Sequence, residues 1–320
     1  GAAYAIATES FSVFLATFFV LGFGRSISQL ARFAAGDLRR ESRRGAAISL
    51  IVWASTIGSV LGPALIGPSG DWVRSLGGSE LLGPVLVGVV GFTIATLVSF
   101  VGLRPDPLEL AVADTDHEDD LAHPTGISLG SILSKTSVQL AFAALVVSQL
   151  VMVFVMTMTP VHISAAGGEL DQVGWVMMAH TVGMFAIAPV TGRLSDRFGP
   201  RRLIAAGGAV LLASCVGSSL ANEAEIPILI AALFGLGVGW NFAFVSASAL
   251  LQEGLSIAER VRIQGVADAT TWIASALGAA ASGVILAATS YAGVSLIGAV
   301  ASAALLVVMA VLGRPVTEPA

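Results

Sequence analysis

An all-α membrane protein is the fold class this sequence predicts, and three observations predict it. Of 320 residues, 55% are hydrophobic and only 12% charged, with a mean hydropathy of +0.87. A soluble domain of this size carries about twice that charged fraction. Apolar runs long enough to cross the hydrocarbon core as helices, about 20 residues each, recur nine times. The basic residues between those runs fall almost wholly on one side. Runs this long and without alternation do not suit membrane strands.

Taken in order, Gly1–Thr8 is an apolar stub, expected to be the cut end of a helix that starts further upstream. Run A, Phe11–Phe33, leads into a segment where Gly22, Arg25, Gln29, Arg32 and Gly36 recur at steps of three and four, so they share one helix face. Arg25 lies about 9 Å from the cytoplasmic end at 1.5 Å per residue. An arginine facing lipid there costs at least roughly 2.5 kcal/mol. Either that face looks into a watery cavity, where Arg25 and Gln29 meet substrate, or Arg25 and Arg32 snorkel to the interface.

Run B, Ala46–Gly67, holds Gly58, Gly62 and Pro63. These residues allow close approach to a neighbour and a bend, or serve ordinary helix packing. Run C is Leu81–Leu103. After it, residues 104–137 form a hydrophilic link whose acidic stretch, Asp114 to His123, reads as a solvated linker and not as a metal site. Runs D, Val138–Pro160, and E, Gln172–Gly192, hold six of the seven methionines, Met152 and Met156 among them. Methionine suits a pocket for varied apolar ligands, and it also serves as packing filler. His180 in run E titrates near neutrality or packs by hydrogen bonding.

Run F is Leu203–Ala221 and contains the one cysteine, Cys215, so there is no disulfide framework. Run G, Glu225–Leu250, holds the polar Asn241. Run H, Ile263–Leu286, carries Gln264, Asp268, Thr271, Ser275 and Ser282 along one stripe. Asp268 is a candidate proton carrier, or an acid favoured by the helix N-terminus. Run I is Ser290–Leu312.

Arginines 39, 40, 43 and 44 lie between A and B, Arg193, Arg197, Arg201 and Arg202 between E and F, and Arg260 and Arg262 between G and H. Arg104 and Lys135 flank the C–D link, and Arg314 follows I. The opposite loops hold one base, Arg74, among several acids. The bias of Lys and Arg toward the cytoplasm therefore puts the first set, the link and the C-terminus inside. The Leu-Gly-x-Gly of Leu21–Gly24 returns at Leu236–Gly239, and each leads through a charged loop to a span bearing Trp and Gly. This offset of roughly 215–220 residues predicts two parallel halves. It divides the chain into the remainder of an N-terminal half (1–103), the linker (104–137) and a six-helix C-terminal half (138–320). The same offset predicts about twelve spans in the whole molecule, about nine of them in this sequence.

Gly192 to Arg202, Gly-Arg-Leu-Ser-Asp-Arg-Phe-Gly-Pro-Arg-Arg, is a tight charged turn between two apolar runs. It resembles the G-x-L-x-D-R-x-G-R-R-R loop of the major facilitator superfamily. Gly58-Ser-Val-Leu-Gly62-Pro63-Ala-Leu-Ile-Gly67 resembles the fifth-helix pattern of its proton-coupled drug exporters, departing at Ile66. The hydrophilic link sits where that family joins its halves. The resemblance covers essentially the whole chain, as helices four to twelve. The family's fourth-helix arginine would fall near Phe18, where there is none.

The resemblance implies that Asp196 meets a helix end of the other half when the cytoplasmic side is closed. The pseudo-symmetric target is the start of run B, near Gly45, with Gly192 and Gly199 permitting the turn. Arg197, Arg201 and Arg202 assist there or only fix topology.

The function expected is secondary transport by two rocking halves: proton-coupled export of a small, rather apolar compound. Asp268, with His180, takes the proton, and Arg25 tunes the site. An importer of an anionic nutrient on the same fold, with Arg25 as ligand, is the alternative. A non-transporting sensor would call for a soluble signalling domain. No catalytic cluster, zinc spacing or nucleotide loop is present in the sequence. The expected partners are a small molecule, protons and the lipid bilayer, with no nucleic acid, no cofactor and no metal. The protein is expected to be a monomer in a bacterial or archaeal plasma membrane.

Overall fold

The structure is a computed structural model that describes residues 1–22, 24, 44–79, 82–102, 104, 128–168, 170–221 and 225–312. Among them every regular element is a helix. Within a bilayer no water is available to the backbone, so a spanning segment must satisfy its own amides, and helices do this. Helix α1 is Ala2–Ala7, α2 is Phe11–Gly22, α3 is Arg44–Ser75 and α4 is Leu82–Gly102. A short α5, Leu129–Leu133, precedes α6, Thr136–Ala165. Then come α7, Leu170–Phe185, α8, Ala188–Phe198, and α9, Pro200–Leu220. The last three are α10, Ile226–Leu250, α11, Ile257–Ala288, and α12, Tyr291–Leu312.

Among the described residues seven helices are long and apolar enough to cross a membrane, counting α7 and α8 as one crossing. They correspond to runs C to I. Phe11–Gly22 and Ala46–Gly58 are shorter apolar helices at runs A and B. Arg25 and Gln29 lie outside the described residues, as do Arg32 and Gly36 of the same face.

Helix α10 packs against α6, α7 and α9. Helix α12 closes the bundle on α6 and α9, and α11 lies against α6. Lipid supplies no hydrophobic drive between helices, so close packing and polar bonds must hold them. The α7–α10 contact shows the packing term. A Cβ on Gly183 would stand 2.4 Å from the Phe234 carbonyl oxygen, and one on Gly237 would stand 2.3 Å from that of His180. Only glycine at both positions lets the two backbones approach this closely.

At one end of the bundle the His162 ring stacks on Tyr291 at 4.3 Å and shares a 2.9 Å hydrogen bond with the Ala221 carbonyl. At the other end Ser256 and Glu259 form a capping box at the start of α11. Lys135 Nζ reaches Glu259 Oε1 at 2.8 Å, tying the start of α6 to α11.

Helix α3 packs along α8 and also touches α7 and α10. It runs unbroken through Gly58, Gly62, Pro63 and Pro68 to Ser75, well past the end of run B. Gly58 is exposed, and among the described residues a Cβ there would meet nothing within 4 Å, so no close approach is seen at it. The surroundings of Gly62 and Pro63 lie outside the described residues. Helix α4 lies against α3 and α1 and presents Phe92, Leu97 and Phe100 outward, as a bilayer allows.

Candidate functional site

The charged turn expected between runs E and F is almost wholly helical. Helix α8 continues to Phe198, and α9 begins at Pro200. The joint is Gly199 alone, with φ +88° and ψ 144°. That φ is one glycine adopts at little cost, and Pro200 at the first helical position restarts the helix without losing a bonded N–H. Charge had marked this stretch as loop. The arginines instead extend from helix ends, where Arg193, Arg197 and Arg202 are exposed. The Arg197 guanidinium lies 5.3 Å from the centre of the Phe198 ring. Gly192 is buried inside α8 and is no part of a turn.

Asp196, near the end of α8, faces the start of α3. Its Oδ2 accepts from the Ala46 N–H at 3.0 Å. Ala46 lies in the first turn of α3, where backbone N–H groups have no partner within their own helix and the helix dipole is positive. A carboxylate there satisfies a donor and meets a favourable field. The contact falls one residue past Gly45, the position the resemblance implies. It joins residues 150 apart in sequence.

A second cluster sits near the middle of the helices. Trp240 Nε1 on α10 donates to Gln149 Oε1 on α6 at 2.8 Å, and Gln149 Nε2 donates to Ser275 Oγ on α11 at 3.4 Å. The Trp240 ring stacks on Phe244 at 4.4 Å and meets the Phe185 edge at 5.9 Å. Ser275 belongs to the polar stripe of α11, and Gln264, Asp268, Thr271 and Ser282 on that stripe are all buried. Asp268 lies two turns from Ser275 on the same face. The cluster therefore ties α6, α10 and α11 together through an indole, an amide and a hydroxyl beside stacked rings, with Trp240, Phe244, Gln149 and Ser275 all buried.

Gln149, Trp240 and Thr191 escaped the sequence reading. Gln149 had a signal, being a polar side chain deep in an apolar run.

The remaining candidates fall in different places. His180 is fully buried on α7; its Nδ1 is 2.9 Å from the Leu233 carbonyl, and its Nε2 has no hydrogen-bond partner among the described residues. Asn241, expected on the substrate path, has its amide engaged at both ends. Nδ2 donates to the Met184 carbonyl at 2.6 Å, and Oδ1 accepts from the Thr191 hydroxyl. Met152 lies in the apolar core, and Met156 packs half-buried against it. Among the described residues no group of three His, Cys, Asp or Glu is placed to hold a metal.

Residues 140–320 match the family model of the Major Facilitator Superfamily. The chain is 33% identical over 322 residues to the uncharacterized MFS-type transporter YddS of Bacillus subtilis, covering 100% of this chain and 74% of that protein. It is 34% identical over 308 residues to YdeG, another uncharacterized MFS-type transporter of that bacterium, covering 95% of this chain and 71% of that protein. Over 268 residues it is 30% identical to the riboflavin transporter RfnT of Brucella anthropi, covering 83% of this chain and 64% of that protein.

Proposed function

The chain belongs to the Major Facilitator Superfamily, and from that premise we propose that this transporter exports a small, largely apolar compound by alternating access, driven by proton entry. The halves are residues 1–103 and 138–320, joined by a cytoplasmic linker, and they rock about a central site. The observation that carries the reading is the hydrogen bond from Ala46 N–H to Asp196. It links one half to the other through a helix end, a contact that rocking breaks and remakes. Arg197 and the Gly199 joint hold Asp196 at that helix end. The unbroken α3, with Gly58, Gly62 and Pro63 at its centre, flexes as the halves move, since a proline leaves one helical carbonyl without its donor.

The cargo site is the wall of Trp240, Phe244 and Phe185 with Gln149 and Ser275. Flat rings suit flat, largely apolar molecules, and the amide and hydroxyl set their orientation. Met152 and Met156 lend the same helix an adaptable flank. The riboflavin transporter among the relatives supports an aromatic cargo of this kind. Asp268 takes the proton on the α11 stripe, and His180, with an unused Nε2, is the second group able to hold one. By sequence, Arg25 and Gln29 are the candidates that the first half adds to this path. The protein acts as a monomer in the plasma membrane, with its linker and C-terminus in the cytoplasm.

Vesicles containing the protein test this. An imposed pH gradient is expected to drive uphill flux of a flat aromatic probe. Asp268→Asn is expected to lose that drive while still exchanging probe for probe. Flux indifferent to the gradient, with Asp268→Asn behaving as wild type, would remove the mechanism.

A further inference from the structure

The crossing formed by α7 and α8 is broken near its middle. Helix α7 stops at Phe185, Ala186 and Ile187 form a turn, and α8 starts at Ala188. Pro189 enforces the break, because it has no N–H to give the carbonyl four residues back. The N–H groups of Val190 and Thr191 both turn to the Ile187 oxygen, at 2.9 and 3.1 Å. The last carbonyls of α7 therefore need donors from elsewhere, since a buried carbonyl left without one is costly.

Asn241 supplies one. It is fully buried on α10, and its Nδ2 donates to the Met184 carbonyl at 2.6 Å. Its Oδ1 accepts from the hydroxyl of Thr191, one turn into α8. That hydroxyl also stands 3.3 Å from the Ile187 oxygen. A single side chain thus grips the end of α7 and the start of α8 across the break. Above the break, α7 is fixed to α10 by the Gly183–Gly237 approach and by the His180–Leu233 hydrogen bond. Helix α8 touches α10 less extensively than it does α3. It packs chiefly on α3 and ends at Asp196.

We propose that the Ala186–Ile187 break is a hinge, that α8 is the lever it carries, and that Asn241 and Thr191 are positioning residues that set the lever's angle. The proposal rests on the latch reading of Asp196 given above. Asp196 lies nine residues beyond Ile187, about 14 Å along a helix, so a tilt of about 10° moves it by about 2.4 Å. That displacement breaks a 3.0 Å hydrogen bond to Ala46. The same tilt moves Thr191, about 6 Å from the hinge, by about 1 Å. The pin can therefore hold while the latch lets go. Asn241 touches neither the Trp240 wall nor the α11 stripe in any hydrogen bond it makes. Its loss should slow the cycle and leave substrate affinity in place.

The test uses the protein in vesicles, in a background with Cys215 and any other native cysteine changed to alanine, so that only introduced thiols carry spin labels. Labels go on the exposed Leu50 of α3 and Phe198 of α8. Thr191→Val keeps the side-chain shape and removes the hydroxyl, and Thr191→Ser restores the hydroxyl. Asn241→Leu removes both hydrogen bonds. With Thr191→Val the maximal flux is expected to fall about tenfold, as the loss of one buried hydrogen bond allows. KM should stay within about twofold, and the label distances should broaden toward longer values. Thr191→Ser is expected to return all three readouts to wild type, and Asn241→Leu to repeat the Thr191→Val pattern. Wild-type flux and distances in Thr191→Val overturn the pin if Asp196→Asn still moves them. If Asp196→Asn leaves them unmoved as well, the latch falls and the pin with it.

Discussion

The Asp196 carboxylate joins the end of α8 to the start of α3. Asp196 gives its Oδ2 to the Ala46 N–H, so both a hydrogen bond and a helix-dipole term act there. Asp196→Asn keeps an acceptor and loses the charge, and is expected to weaken the closed state by about 1 kcal/mol. Asp196→Ala loses both and is expected to weaken it by about 2 kcal/mol. Labelling rates of a cysteine placed on the cytoplasmic side of the cavity read this directly: both variants should react faster, the alanine more so. Equal rates in all three proteins would contradict the reading. This residue was legible from sequence because an acid flanked by glycines and arginines stands out against apolar runs. Asn241 was visible as polar but its task was not, because its partner Thr191 lies 50 residues away and no local pattern links them. Gln149 and Trp240 were hidden for the same reason, being 91 residues apart.

At the scale of helices, apolar length and basic loops located runs C to I to within a few residues. The ends were the weak point. Arginines beside Asp196 read as a loop, yet they snorkel from helix ends and leave one residue, Gly199, as the joint. The break at Ala186–Ile187 left no mark in hydropathy, since its residues are as apolar as their neighbours; Pro189 was the one local sign. Run B also stopped short, because prolines that end helices in water are tolerated inside membrane helices. Glycine content alone did not separate contact from spacer. Gly237→Ala would put a Cβ 2.3 Å from the His180 oxygen, and the strain should cost about 1–3 kcal/mol. Gly58→Ala enters open space and should change stability by less than about 1 kcal/mol. Thermal unfolding of the two variants in one detergent checks the contrast: only Gly237→Ala should melt clearly lower. Equal melting would mean the α7–α10 approach is looser than described.

For the whole molecule, the two parallel halves proposed from the repeated Leu-Gly-x-Gly motif would make the Asp196 contact a latch between them. In the structure an acid on α8 meets the first turn of α3. The buried aromatic cluster was less legible than the charged Asp196 stretch. Charge bias and loop motifs are local in sequence, whereas the Trp240 wall is assembled from four helices. The central claim is that transport requires the latch to open and close. Asp196 reaches the Ala46 backbone N–H, so the Ala46→Cys, Asp196→Cys, Cys215→Ala variant can be bridged with a short reducible bis-thiol crosslinker. Flux in vesicles is expected to stop on crosslinking and return on reduction. Full flux through the bridged protein would contradict the account.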